Sequence, residues 1–257
     1  IVPGLGNLHG RLAFNNSHLL LGAMLDTGLW SGRAVHITSG LLLFALVGRF
    51  IPAGMRLVRR QARPADAFDF VLLAGVIHLA LRGNIVSYSP DLAVTAVAFA
   101  AGSILYRWLT EQQSQISGCY SLLVIVTLLI SAVTIKLTIF GFAVSAALMA
   151  MALWSREPRD SSLWRRTALS IILLGATLTC VWLCRGVILS GFPAYPSTMF
   201  GFDVDWSVPR IQAEAEHAWT REWGRSRDLG IPSQGESNPW IAWAINLFDT
   251  GFNGHLW

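Results

Sequence analysis

The chain has 257 residues, of which 53% are hydrophobic and 13% charged, whereas an ordinary soluble domain carries about 25% charge. With a mean hydropathy of +0.51, a soluble globular domain is excluded. The net charge of +4 is split into 15 basic and 7 acidic residues over 1–185, and 4 basic and 8 acidic over 186–257. The basic residues lie in short loops between apolar runs and not on one soluble face, which excludes a nucleic-acid partner and points to membrane topology.

The chain opens on "IVPGLGNLHGR", where Pro3, Gly4, Gly6 and Gly10 read as a structured loop. It starts without Met or a charged leader and stops within an apolar stretch, so an interior fragment is expected. "GLGNLHG" lacks the strand–turn–helix setting of a dinucleotide loop, and no Walker lysine loop is present. Residues 12–30 read as one helix, capped by Asn16 or Ser17. Asn15, Asn16, His18 and Asp26 make it a poor lipid-facing span. Shielding by other helices and an interfacial position both fit, and whether it crosses stays open.

Six apolar spans follow, at about 34–53, 65–81, 91–109, 118–135, 137–154 and 167–184. Each approaches the roughly 20 residues that cross a hydrocarbon core of about 30 Å. One helix over 118–154 would be about 55 Å long, too long for a single span. A hairpin near Thr134–Lys136–Thr138 is therefore expected, although it has neither Gly nor Pro; a re-entrant break is the alternative. Cys119, Cys180 and Cys184 fall in or beside these runs with no ligand set around them, and read as small packing residues.

The loops orient the bundle. Arg49, Arg56, Arg59, Arg60 and Arg63 crowd one loop region, and Arg156, Arg159, Arg165 and Arg166 another. The alternate loops hold Arg82, Lys136 and Arg185, one each. Short Arg-rich loops favour the cytoplasm, which puts 82–90, the turn at 136 and the segment from 186 outside. Residues 186–237 read as an ordered external loop with a surface helix at 211–230, and 238–257 as the start of a further span. The fold expected is all-α: a transmembrane bundle over 1–185, a polytopic architecture carrying an ordered external loop.

Several polar residues then gather at one membrane face: Arg82, Asn84, Asp91, Lys136, Arg185, Tyr195, Asp203, Asp205 and Trp206. Lys136, Arg185 and Arg82 suit a phosphate or lipid headgroup, while the plainer reading is an interfacial anchor whose charge snorkels to water. Asp91 and Asp205 are the candidate catalytic carboxylates, as general base or ligand of a divalent metal ion. For Asp91 an ordinary helix cap is the rival. Tyr195 and Trp206, among prolines, suit closure of the external loop over the membrane surface. His36 and His78 sit in spans without a matching ligand set, and no metal site is expected from the residues themselves.

The stretch "GLGNLHGRLAFNNS", with His9, Arg11, Asn15 and Asn16, resembles a signature of an uncharacterised family of bacterial multi-spanning inner-membrane proteins similar to the GT-C glycosyltransferases. "SYSPD", "TIKLT", "RGVILSGFPAYPS" and "DWSVP" are further matching pieces. The resemblance implies transfer of a sugar from a polyprenyl-phosphate donor to a cell-envelope acceptor. It also implies a main catalytic carboxylate in a first external loop lying mostly upstream of Ile1. A transporter or flippase of an envelope precursor and a non-catalytic membrane scaffold are the alternatives, so enzymatic activity stays open. Membrane lipids are the partners common to all three.

The charge bias makes the orientation testable. In a cysteine-free background, an impermeant thiol reagent added to intact cells should label Gln212→Cys and leave Asp160→Cys unmodified. The reverse pattern inverts the topology.

Overall fold

The computed structural model describes residues 3–13, 17–81, 90–111, 115–156 and 161–223. Among these residues the protein is all-α. Nine helices are described: α1 (Gly10–Ala13), α2 (Ser17–Leu25), α3 (Ala34–Val58), α4 (Pro64–Leu79), α5 (Pro90–Thr110), α6 (Gln115–Ile135), α7 (Phe140–Ser155), α8 (Ser161–Ser190) and α9 (Arg210–Trp223). Five segments are long and apolar enough to cross a membrane: His36–Val58, Pro90–Thr110, Ser117–Ile135, Leu137–Ser155 and Ser162–Ser190. The segment read at 65–81 is α4, with 16 residues, or about 24 Å at 1.5 Å per residue. The chain divides into two compact units, Asn15–Trp182 and Ile1–Phe14 with Leu183–Trp257.

Several boundaries differ from those read in the sequence. The helix expected over 12–30 is not continuous: α2 ends at Leu25 and a separate 3-10 turn covers Gly28–Trp30. Between them the Asp26 carboxylate accepts the Gly32 N–H at 2.6 Å, which folds the chain into a turn. At nine residues, α2 is about 14 Å long. Helix α3 runs through Pro52 to Val58, and α8 extends the span read at 167–184 in both directions, to Ser161 and Ser190. The surface helix read at 211–230 is described as Arg210–Trp223. The apolar stretch at 238–257 lies outside the described residues.

In the unit Asn15–Trp182, small residues bring the helices close. Ala93, Ala96, Ala98, Ala101 and Ser103 are buried along α5, and Ala143, Ala146 and Ala150 form a buried stripe on α7. Such residues let backbones approach where lipid removes any hydrophobic drive between helices. One core joins Ala101 and Leu105 of α5 to Leu122, Ile125 and Leu129 of α6 and to the α7 stripe. Another sets Phe50 of α3 against Val76 of α4 and Leu92 of α5. Cys119 packs in the core as expected, whereas Cys180 and Cys184 are exposed thiols on α8. That helix turns Leu169, Ile172, Leu173 and Val181 outward, the pattern of a lipid-facing surface.

A buried ion network joins α3, α4 and α5. The Arg107 Nη2 donates to Asp66 Oδ1 at 2.9 Å and to Asp69 Oδ2 at 2.5 Å. Arg56 meets Asp66 with both arms of its fork, at 2.9 and 2.6 Å, and the Arg63 N–H donates to the same carboxylate at 3.0 Å. One turn along α5, the Ser103 hydroxyl accepts from Arg49 at 3.0 Å. Both aspartates are fully buried, so removing a partner leaves an uncompensated charge in an apolar surrounding. Arg107→Ala should therefore cost about 3–5 kcal/mol, read as unfolding in mixed micelles. Arg63→Ala, which removes a half-exposed pair with Glu111 at 3.4 Å, should cost at most about 1 kcal/mol.

Candidate functional site

The first candidate site forms where α6 breaks. The Lys136 N–H closes the helix onto the Ala132 carbonyl at 2.9 Å. Lys136 itself is extended, with φ −150° and ψ 117°, and Leu137–Ile139 make a 3-10 turn leading into α7. An extended residue followed by a 3-10 turn thus reverses the chain without Gly or Pro. Its ammonium donates to Asp91 Oδ1 at 2.5 Å. Asp91 sits in the first turn of α5, where the helix dipole also favours its negative charge. The two side chains are 38% and 46% exposed, open enough for the ammonium to offer its other protons to a ligand.

An apolar cavity of about 360 Å³ lies beside this break. Val126, Leu129, Ile130 and Val133 of α6, Phe140, Ala143, Val144 and Ala147 of α7, and Thr179 and Trp182 of α8 line it. Thr134 and Leu137, which bracket Lys136 in the chain by two residues and one, also belong to the lining. The Thr134 hydroxyl lies 3.0 Å from that of Ser17, which links α2 to α6. A cationic group beside an apolar cavity suits an amphipathic anion.

The unit Ile1–Phe14 with Leu183–Trp257 holds His9, Arg11, Arg185, Tyr195, Asp203, Asp205 and Trp206. Its core is Ala13, Leu189, Phe192, Tyr195, Val208 and Ala213. The glycines of the signature stretch are there for close approach. Gly4, at φ +73°, would place a Cβ 2.9 Å from Trp206 Cβ; Gly6 would meet Ala13 and Val208, each at 2.9 Å. Gly10 lies against the Glu216 carboxylate and the Tyr195 hydroxyl, at 3.1 and 3.2 Å from the same construction. Asn7 donates to the Trp206 carbonyl at 2.8 Å, and the Gly4 N–H to the Ile188 carbonyl at 3.0 Å.

The segment after α8 is ordered and folds back on the helix end. The Phe202 N–H reaches the Gly191 carbonyl and the Val208 N–H the Ser190 carbonyl, both at 2.9 Å. Burial, and then the Glu216 charge, push the Tyr195 phenol above its ordinary value, so it stays neutral and offers a hydrogen-bonding hydroxyl. Arg185 is buried. Asp203, Asp205 and His9 are exposed. Arg11 belongs to α1, its side chain outside what is described, and Asn15, Asn16, Arg82 and Asn84 lie outside the described residues altogether. Of the polar set read in the sequence, Asp91 and Lys136 meet within one unit, and Arg185, Tyr195, Asp205 and Trp206 belong to the other.

Sequence reasoning missed Glu216 as the neighbour of Tyr195, for which no local signal exists. It also missed the pairing of Asp66 and Asp69 with Arg107, whose signal was legible: two carboxylates one turn apart at the start of an apolar run require cations from other helices. Among the described residues, no group of three or more His, Cys, Asp or Glu side chains could hold a metal ion.

Several long apolar helices packed through small residues and a buried ion network, with no strand among the described residues, define an all-α, polytopic membrane protein. Over residues 1–254 the sequence matches the family described as a domain of unknown function (DUF8201), and the chain belongs to that family. No curated protein and no solved structure matches the chain.

The folded-back segment generates a prediction. A Cβ on Gly186 would lie 2.2 Å from the Pro193 carbonyl oxygen, whereas one on Gly175 meets only the Ile130 side-chain tip at 3.5 Å. Gly186→Ala should destabilise the 183–223 unit by about 1–3 kcal/mol, the range for overpacking, and speed proteolysis between 191 and 209. Gly175→Ala should leave the digestion pattern unchanged.

Proposed function

We propose that this protein handles an anionic lipid-linked envelope precursor, a polyprenyl-phosphate sugar, in the bacterial inner membrane, as its transporter or flippase. The observation that carries this reading is the apolar cavity of about 360 Å³ flanked by the broken helix that holds Lys136. The isoprenoid chain would occupy the cavity, and the phosphate would take the free protons of the ammonium. The ammonium stands at the turn between two spans, where a long cationic side chain reaches the headgroup layer. A non-catalytic scaffold presenting the same lipid would share the site without moving its ligand.

Glycosyl transfer is the second reading. It is favoured by the exposed Asp205 next to Trp206 in a folded loop, and by the resemblance of the signature stretch. It would place Asp205 at the acceptor, with any divalent ion brought by the substrate phosphate.

Purified protein in proteoliposomes with a fluorescent short-chain polyprenyl phosphate would distinguish these readings. Binding that weakens by about 1.5–3 kcal/mol in Lys136→Ala, the range for a hydrogen bond to a charged group, together with lipid scrambling, supports transport. Binding without movement supports the scaffold. Sugar transfer that is lost in Asp205→Asn supports the transferase. Undiminished affinity in Lys136→Ala returns this residue to an interfacial anchor and removes the proposed site.

A further inference from the structure

The loop after α8 carries apolar side chains that the buried core of its unit does not use. Met199 is 64% exposed, Phe200 80%, Phe202 54% and Trp206 39%. Four large apolar residues within eight positions form a patch, and patches of this kind mark interaction sites. The patch is not a loose tip. Gly201 sits so close to the Phe192 ring that a Cβ there would lie 2.5 Å from it, which seats the loop between the two outward phenylalanines on a buried side chain. Phe200 adopts φ 55°, a left-handed conformation that bulky residues rarely take. The backbone thus accepts strain in an arrangement that turns this ring outward.

The hydrogen bonds of the loop set its level. Ser162–Ser190 is a candidate membrane span. The N–H groups of Phe202 and Val208 bond to the carbonyls of Gly191 and Ser190, at 2.9 Å each. The Trp206 indole donates to the Val187 carbonyl at 3.4 Å, inside the last turn of that span. The aromatic cluster is therefore pinned to the end of a membrane-crossing helix, the level at which tryptophan and its aromatic neighbours meet lipid headgroups. Asp203 and Asp205, exposed in the same loop, remain hydrated there and keep the loop out of the hydrocarbon. On α9, Arg210, Glu214, His217 and Arg221 share one exposed polar face, as suits contact with water.

We propose that Met199–Trp206 is an aromatic foot that beds this unit into the interfacial layer of the bilayer, its partner being the lipid surface itself. The foot anchors the last turn of α8 and everything packed on it at a defined depth. This holds whether the protein moves, modifies or only presents a lipid.

The test uses the full chain in phosphatidylcholine–phosphatidylglycerol nanodiscs holding one copy each, with Cys119, Cys180 and Cys184 replaced by serine. Single nitroxides are placed through Phe200→Cys, Phe202→Cys and Gln212→Cys. Power saturation should show loss of nickel-chelate accessibility and gain of oxygen accessibility at 200 and 202 relative to 212. As a check that needs no label, the bromolipid quenching of native tryptophan fluorescence is read in parallel, and it should fall in Trp206→Leu. Nickel accessibility at 200 and 202 equal to that at 212 overturns the proposal. So does exclusion of nickel in proteoliposomes accompanied by spin–spin broadening that vanishes on dilution with unlabelled protein, which would make the patch a contact between copies.

Discussion

The Arg107 guanidinium, shared by two buried carboxylates on α4, is the interaction on which the spanning unit depends. In water such a pair contributes little; in an apolar surrounding an ion without its partner is very costly. Three helices whose apolar surfaces lipid would satisfy equally well are thereby held to one another in a single register. Helix α4 shows the consequence. Two charges in its first turns would expel a lone 16-residue helix from an apolar phase. Bonded to Arg56 and Arg107, they become the reason it packs between α3 and α5.

At Lys136 the same physics leads to a different outcome. An ammonium between two apolar helices cannot stay within either of them, so the chain reverses there and the charge reaches Asp91. The carboxylate of this pair is partly exposed, unlike Asp66 and Asp69 of the arginine network, so the pair can exchange partners. That difference separates a charged group that holds the bundle together from one suited to meeting a ligand. It is also why an apolar cavity next to Lys136 has chemical meaning, when a cavity beside the Arg107 network would not.

The signature glycines illustrate how a motif can be recognisable without being catalytic. Gly4, Gly6 and Gly10 each stand where a side chain would strike Trp206, Val208 or the Tyr195–Glu216 contact. In "GLGNLHG" several close approaches fall within one short stretch. Its glycines serve the packing of the segment after α8, so the chemistry of the unit, if it has any, rests on the side chains that this packing displays.

Composition and hydropathy alone determined the class: apolar runs near 20 residues with charges confined to their ends leave only a helical bundle in a membrane. The position of the hairpin at Lys136 followed from length, because no single span can be 55 Å long. The partners of the charges were not legible. Asp66 and Arg107 are 41 residues apart, Asp91 and Lys136 45, and nothing local in either segment names the other. The helix read over 12–30 failed for a related reason: its period was apolar enough, but the Asp26 turn onto Gly32 and the bond between Ser17 and Thr134 depend on neighbours. The burial of Arg185 was likewise not legible in its own segment. Hydrophobic period is a property of a segment and survives in one dimension, whereas ion pairing and burial are properties of distance between segments, which only the tertiary structure sets.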